Sequence, residues 1–166
     1  MRAENCSSPA PAAAVSDGNV EGGTCIMEDA LILEYKVHDG EFQRAGEVSS
    51  DLKKKLKAMG VPMDTIRKIS IAMYEGEVNM VIHANGGDIT VEITPEMIKM
   101  ILADVGPGIE DIDKAMQAGY STARDEIRNL GFGAGMGLPN MKKNTDRMNI
   151  ETVVGQGTTI TMEVDL

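Results

Sequence analysis

Glu75 and Asn79 are the first residues of this sequence whose types and spacing suggest chemistry. They lie four positions apart in a helix-like stretch, so both side chains project from one face, one turn apart. A carboxylate can polarise a water molecule or a hydroxyl, and an amide oxygen is a neutral ligand suited to Mg²⁺, which keeps several of its waters. Both residues are also common on solvated helices, so the pair alone decides nothing. Glu77 points away from the pair, and the spacing predicts a surface position for it.

A second motif, Asp104-Val105-Gly106-Pro107-Gly108-Ile109, directly follows a predicted strand. Its two glycines allow the backbone to approach a ligand without obstruction by a Cβ atom. The aspartate at the strand end can accept a hydrogen bond from an exocyclic amine in an otherwise apolar pocket. A plain turn between a strand and a helix is the alternative interpretation.

The third motif is the run Gly131-Phe132-Gly133-Ala134-Gly135-Met136-Gly137-Leu138, which leads into a predicted helix. Backbone N–H groups at a helix start and the helix dipole together form an anion site. The spacing differs from the dinucleotide-binding and P-loop fingerprints, and no Gly-Lys-Ser/Thr follows, which argues against a P-loop enzyme. A fourth short element, Gly157-Thr158-Thr159, opens the last predicted strand. The order and spacing of the motifs carry more weight than any one of them.

The elements that would position these motifs follow from the periodicity of the apolar residues. A first strand is predicted from Ala30, because Leu31, Leu33, Tyr35 and Val37 alternate with other residues. Helices are predicted over Gly46–Met59, from Pro62 to about Ala84, over Asp111–Met116 and over Gly135–Met148. In the second of these helices, the predicted buried stripe consists of Ile66, Ile69, Met73 and Met80. Further strands are predicted over Asp88–Thr94, Met97–Val105, Met148–Val154 and Thr158–Val164. This order predicts an α+β fold, a two-layer sandwich with helices on one face of a mixed sheet.

The amino-acid composition limits the classes of function that are expected for this chain. The 166 residues suffice for one domain, predicted over residues 29–166, whereas residues 1–28, rich in Ala, Ser, Pro and Gly, predict a flexible tail. The net charge of −10 and the aromatic content of 3% disfavour a nucleic-acid partner. The absence of a membrane-length apolar run and of a secretory signal predicts a cytoplasmic protein without a membrane partner. Cys6 and Cys25 lack metal-ligand spacing and are interpreted as incidental thiols.

Together, the motifs resemble the ATPase domain shared by gyrase, heat-shock-90 proteins, histidine kinases and mismatch-repair ATPases. Glu75 and Asn79 match its N box, Asp104-x-Gly106-x-Gly108 its G1 box, and Gly133-x-Gly135-x-Gly137 its G2 box. The resemblance covers about residues 30–166. It implies the Bergerat-type ATP-binding fold, in which the mixed sheet is mostly antiparallel.

Within that superfamily, residues 104–159 are most similar to the small anti-sigma-factor and stressosome switch kinases. The similarity rests on Gly-Tyr-Ser-Thr at 119–122, Gly-Leu-Pro at 137–139 and Gly-Gln-Gly-Thr-Thr at 155–159. Such kinases transfer the γ-phosphoryl group of ATP to Ser or Thr of a small antagonist protein of the STAS-like type. A sigma factor or another switch protein is a further implied partner. Relatives often form homodimers, and the sequence carries no signal that decides the oligomeric state.

The resemblance also implies a role for each motif. Glu75 would act as general base towards a hydroxyl or water, Asn79 would ligate the Mg²⁺ that bridges the phosphates, and Asp104 would bind the adenine amino group. The implied nucleotide-binding set further contains Gly106, Gly108, Ile109, Gly133, Gly135, Met136, Gly137, Leu138 and Thr159.

One departure from the resemblance concerns Gly133. In anti-sigma kinases of this type an arginine of the G2 segment reaches the γ-phosphate, and Gly133 holds the matching position here. Arg124 or Arg128 could substitute, although a solvated charge is the simpler interpretation of each. Three functions therefore stay open: a Ser/Thr protein kinase, a nucleotide-gated binding module without phosphotransfer, and an ATPase. His83, two turns after Glu75, is interpreted as a packing residue, with contact to phosphate or a partner as the alternative.

Overall fold

The computed structural model of the chain describes residues 23–27 by their backbone, and residues 30–123 and 133–166 with their side chains. One sheet of six strands runs through this part of the chain in the spatial order β1-β2-β3-β4-β6-β5, and every neighbouring pair is antiparallel. The strands are β1 (Gly23–Met27), β2 (Ala30–His38), β3 (Gly86–Ile93), β4 (Met97–Asp104), β5 (Arg147–Val153) and β6 (Gly157–Asp165).

Side-chain alternation gives the sheet one covered face and one polar face. In β2, Leu33, Tyr35 and Val37 are buried, whereas the intervening Glu34 and Lys36 are exposed. Successive strand residues point to opposite faces, so this pattern requires a second layer on one side only. The helices supply that layer, and the predicted two-layer α+β fold is confirmed. The prediction of a mixed sheet was wrong, because all pairs of the described strands are antiparallel.

In the described part of the chain, the helical layer contains α1 (Glu47–Ala58), α2 (Met63–His83), α3 (Ile112–Ala115) and α4 (Gly137–Lys143), with a short 3-10 helix at Phe42–Arg44. α1 ends just before Gly60, whose φ of 80° lies in the left-handed region that favours glycine. α2 starts directly after Pro62, where the missing N–H costs no helical hydrogen bond.

The predicted helix Gly135–Met148 was too long at both ends. Gly135 has a φ of 75°, which is incompatible with a right-handed helix, so α4 starts only at Gly137. At the other end, Arg147 and Met148 belong to β5 and pair with β6. A run of four or five residues is too short for its apolar pattern to show where a helix ends and the next strand begins.

The core between the two layers is built from aliphatic and Met side chains. The predicted α2 stripe is confirmed: Ile66, Ile69, Met73 and Met80 are all buried. They pack with the helix-facing side chains of the sheet, among them Met100, Leu102 and Met162. Gly76 keeps α2 close to β4, since a Cβ atom at this position would overlap the side chain of Leu102.

The prediction that Glu77 lies on the surface was wrong. Its side chain is 2% exposed, and its two carboxylate oxygens accept hydrogen bonds from the N–H groups of Val48 and Ser49, each at 3.2 Å. These donors belong to the first turn of α1, whose N-cap residue Gly46 has no side chain to satisfy them. Burial raises the pKa of Glu77, and the backbone hydrogen bonds oppose that shift. A residue of α2 thus caps α1.

The boundary between tail and domain stays a prediction. β1 lies within the range 1–28 assigned to the tail and pairs with β2. Cys25 falls in β1, and Cys6 lies outside the described residues. Among the described residues, no helix is both long and apolar enough to cross a membrane.

Candidate functional site

One face of α2 carries three polar residues at successive turns. Glu75, Asn79 and His83 are spaced by four residues and therefore line up along the helix. Each of them contacts a residue of the third motif or of the chain segments on either side of it. These contacts bring distant parts of the sequence to the same helix face.

Glu75 meets Asn140 of α4. The Asn140 side-chain amide donates a 2.6 Å hydrogen bond to Glu75 Oε1, and both residues are half-buried. This bond fixes the carboxylate orientation and leaves Oε2 without a hydrogen-bond donor among the described residues. Asn140 was not predicted from the sequence. Its distance of three residues from Gly137 could have indicated it, since such spacing places two residues on one helix face.

Asn79 meets Gly137, the first residue of α4. A Cβ atom at position 137 would lie 2.9 Å from Asn79 Oδ1 and 3.0 Å from Asn79 Nδ2. Real Cβ atoms essentially never approach heavy atoms within 3.0 Å, so a glycine is needed here for close contact. The structure thereby joins the first motif to the third.

His83 meets Thr122. Its Nδ1 lies 3.4 Å from the Thr122 hydroxyl, at the long end of hydrogen-bond distances. Burial lowers the pKa of His83, so the neutral imidazole is favoured. The interpretation of His83 as a packing residue fits this position.

Asp104 lies at the end of β4, on the sheet face that the helices cover. Its Oδ1 accepts hydrogen bonds from the N–H of Gly106 at 2.8 Å and of Thr158 at 3.1 Å. Both bonds involve the same oxygen, so Oδ2 is left to accept from a ligand. Gly106 packs against the end of α2, because a Cβ atom there would lie 2.7 Å from the Ala84 Cβ.

The rest of the second motif is held by β5. Gly108 has a φ of 76°, and a Cβ atom there would lie 2.6 Å from the carbonyl oxygen of Val153. The N–H of Ile109 donates to the Thr152 hydroxyl at 2.8 Å. Thr152 also lies 3.1 Å from the Thr158 hydroxyl. Thr152 was not predicted from the sequence, because its contact depends on the pairing of β5 with β6.

Thr158 and Thr159 occupy opposite faces of β6. Thr158 is buried with Ile160 and Met162 on the helix side, and its N–H contacts Asp104. Thr159 therefore points to the other face of the sheet, where it is half-exposed beside Ala103. The geometry brings Thr158 to the candidate site, and the role predicted for Thr159 remains only a prediction.

The described part of the glycine-rich segment, residues 133–138, contacts residues that precede it in the chain. Gly133 and Gly135 have φ values of 73° and 75°. The N–H of Gly119 donates to the Gly135 carbonyl at 2.8 Å, and a Cβ atom on Gly135 would overlap Gly119 and Tyr120. Met136 is 41% exposed, whereas Leu138 belongs to the buried core. Arg124 and Arg128 lie outside the described residues.

This arrangement suits a ligand with an amine at one end and phosphates at the other. Asp104 offers a carboxylate oxygen beside a glycine turn, and Glu75 and Asn79 offer a proton acceptor and a hard amide ligand near the start of α4. Within residues 30–123 and 133–166, no group of three or more His, Cys, Asp or Glu residues could hold a metal ion. Asn79 together with phosphate oxygens and water fits the few protein ligands that Mg²⁺ uses.

The sequence is similar to known proteins. The sequence model described as the histidine kinase-like ATPase domain matches residues 41–164. The serine/threonine-protein kinase RsbT of Bacillus subtilis is 35% identical over 97 residues, which cover 56% of this chain and 67% of that protein. The anti-sigma F factor of Caldanaerobacter subterraneus is 35% identical over 105 residues, covering 60% of this chain and 70% of that protein. The anti-sigma F factor of Clostridium acetobutylicum is 31% identical over 106 residues, covering 61% and 71%.

Proposed function

Because this chain belongs to the histidine kinase-like ATPase domain family, we propose that it is an ATP-dependent serine/threonine protein kinase of the partner-switching type. Its substrate is a small antagonist protein of the STAS-like type, and a sigma factor or another switch protein is a second partner. The proposed compartment is the cytoplasm. Similarity to proteins named serine/threonine-protein kinase RsbT and anti-sigma F factor supports this proposal.

The observation that carries the proposal is the double contact of α2 with α4. Glu75 accepts a hydrogen bond from Asn140, and one turn further Asn79 lies against Gly137. The proton acceptor and the metal ligand therefore both lie against the helix that follows the glycine-rich segment.

In this proposal each residue of the site has one task. Bound Mg-ATP would supply the γ-phosphoryl group to the substrate hydroxyl oxygen, with ADP as the leaving group. Asp104 Oδ2 accepts a hydrogen bond from the adenine amine, and Asn79 Oδ1 ligates Mg²⁺. Glu75 Oε2 accepts the proton of the substrate hydroxyl, while Asn140 holds Oε1 and so orients the carboxylate. Phosphoryl transfer depends mainly on such positioning and on charge neutralisation.

The test compares Glu75→Gln with the unchanged protein. Purified protein is incubated with labelled Mg-ATP and an antagonist protein encoded in the same genome, and phosphoserine or phosphothreonine is measured. General-base catalysis typically contributes roughly 10²–10⁴-fold, so Glu75→Gln should lose transfer by at least that order while calorimetric Mg-ATP binding persists. The exposed Glu96→Gln serves as the matched control. Equal transfer by the two variants would refute the assigned role of Glu75.

A second candidate function is a nucleotide-gated binding module without phosphotransfer. Gly133 favours it, because no side chain extends from this position towards the phosphates, and its φ of 73° would strain an arginine placed there. In a binding module, Glu75→Gln would leave nucleotide-dependent partner binding intact and no label would appear on any antagonist. The same incubation therefore separates the two functions.

A further inference from the structure

An open groove runs between the N-terminal half of α2 and the C-terminal half of α4. Its α2 wall is formed by Asp64, Arg67, Lys68 and Ile71, and its α4 wall by Asn140, Lys143 and Asn144. Ile71 is half-buried at the floor, whereas the charged side chains are exposed at the rims.

The groove is locally cationic in a strongly acidic protein. Arg67, Lys68 and Lys143 face a single acidic side chain, Asp64, although the whole chain carries a net charge of −10. None of these three cations forms an ion pair with another described residue. Elsewhere in this part of the chain, Lys36 and Arg147, for example, are paired with carboxylates. The cations of the groove are therefore available to an external anion.

The groove leads to the candidate catalytic residue. Ile71 and Glu75 are four residues apart and share a face of α2. Asn140 lines the groove and also donates to Glu75 Oε1, so the groove and the carboxylate share this side chain. A chain segment lying in the groove would place its next residues beside Glu75.

We propose that this groove binds an acidic segment of the protein substrate, close in sequence to the phosphorylated Ser or Thr. This inference rests on the proposed kinase function and adds a substrate requirement to it. Arg67 and Glu75 are eight residues apart, so about 12 Å of helix axis separates them. An extended peptide covers that length in about three to five residues. The acidic side chains therefore lie about three to five positions from the acceptor.

The experiment uses the full chain and a fluorescent 13-residue peptide with a central serine and glutamates at positions three to five on both sides. The matched peptide carries glutamine at the same positions. Binding is followed by fluorescence anisotropy with Mg²⁺ and a non-hydrolysable ATP analogue at low salt, where charge contacts are least screened. The test variant is Lys68→Glu/Lys143→Glu, and the control is Lys53→Glu/Lys57→Glu, which makes the same charge change on the exposed side of α1.

The glutamate peptide should bind the unchanged protein and the α1 control roughly tenfold more tightly than the glutamine peptide, since each exposed charge pair contributes little by itself. The groove variant should lose this preference. Equal binding of the two peptides, or a preference that survives in the groove variant, overturns the inference.

Calorimetry with Mg-ATP on the same proteins tests the groove assignment and the kinase proposal separately. Normal Mg-ATP uptake without peptide preference overturns the groove assignment and leaves the kinase proposal standing. A peptide preference that depends on Lys68 and Lys143, in a protein that takes up no Mg-ATP, supports the groove and overturns the kinase proposal.

Discussion

Gly137→Ala tests the contact that joins the first and third motifs. Gly137 is the first residue of α4 and does not have a left-handed conformation, so alanine fits its backbone. Alanine is also the better helix former by about 1 kcal/mol. The free energy of unfolding should therefore change little. The main effect of the substitution is to displace the side chain that the new methyl group contacts.

That side chain is Asn79. The added Cβ atom would lie 2.9 Å from Asn79 Oδ1, whereas ordinary van der Waals contact begins at 3.4 Å. Asn79 must therefore move by about half an ångström, which is roughly the tolerance of a functional site. Displacing a residue that supports or ligates a metal commonly weakens metal affinity about 10- to 100-fold. We expect the Kd for Mg-ATP to rise by at least about tenfold, or about 1.4 kcal/mol.

The assay is isothermal titration calorimetry with Mg-ATP, repeated with ATP in the presence of a chelator. The loss should appear only with magnesium, and the urea midpoint of unfolding should stay near that of the unchanged protein. Asn79→Ala supplies the control: in this background, Gly137→Ala should have no further effect, because the affected ligand is gone. An unchanged Kd, or a loss that persists in the Asn79→Ala background, would refute the reasoning.

Two further predictions concern titratable groups on α2, the buried Glu77 and the half-buried His83. Glu77→Ala should lower the free energy of unfolding by about 2–4 kcal/mol in urea titrations, because the buried N–H groups of Val48 and Ser49 lose their acceptor. Glu47→Ala, at an exposed position, should change this free energy far less. Equal urea midpoints for the two variants would contradict the capping role of Glu77. Burial lowers the pKa of His83 from 6.5, so its stabilising contribution is complete above that pH and is lost as pH falls below it. Between pH 7 and about pH 5, His83→Gln should therefore lose less stability than the unchanged protein, and parallel curves would refute this assignment.

Much of the fold could be predicted because it is encoded locally. Alternation of apolar residues in β2 and the stripe of Ile66, Ile69 and Met73 in α2 each identify a buried face without knowledge of its partner. Gly60 and Pro62 mark the division between α1 and α2 by backbone conformation alone. The confirmed sandwich follows from the order of these elements.

The candidate site was predicted in part, for the same reason. The spacing of Glu75 and Asn79 places them on one helix face, and Asp104 ends a strand that apolar residues define. These short-range relations follow from the geometry of a helix or a strand and do not depend on how the elements pack. The resemblance to a known family then gave them roles that the residues alone left open.

Long-range contacts could not be read from the chain. Asn140 donates to Glu75 from 65 positions away, and Glu77 is buried only because α1 brings two N–H groups to it. The local sequence around a polar residue is the same whether its hydrogen bonds are made with water or with a distant backbone group. The sequence by itself determined which residues could share a helix face or a strand face. Only the tertiary structure decided which of those faces meet, because packing and hydrogen-bond satisfaction depend on residues far apart in the chain.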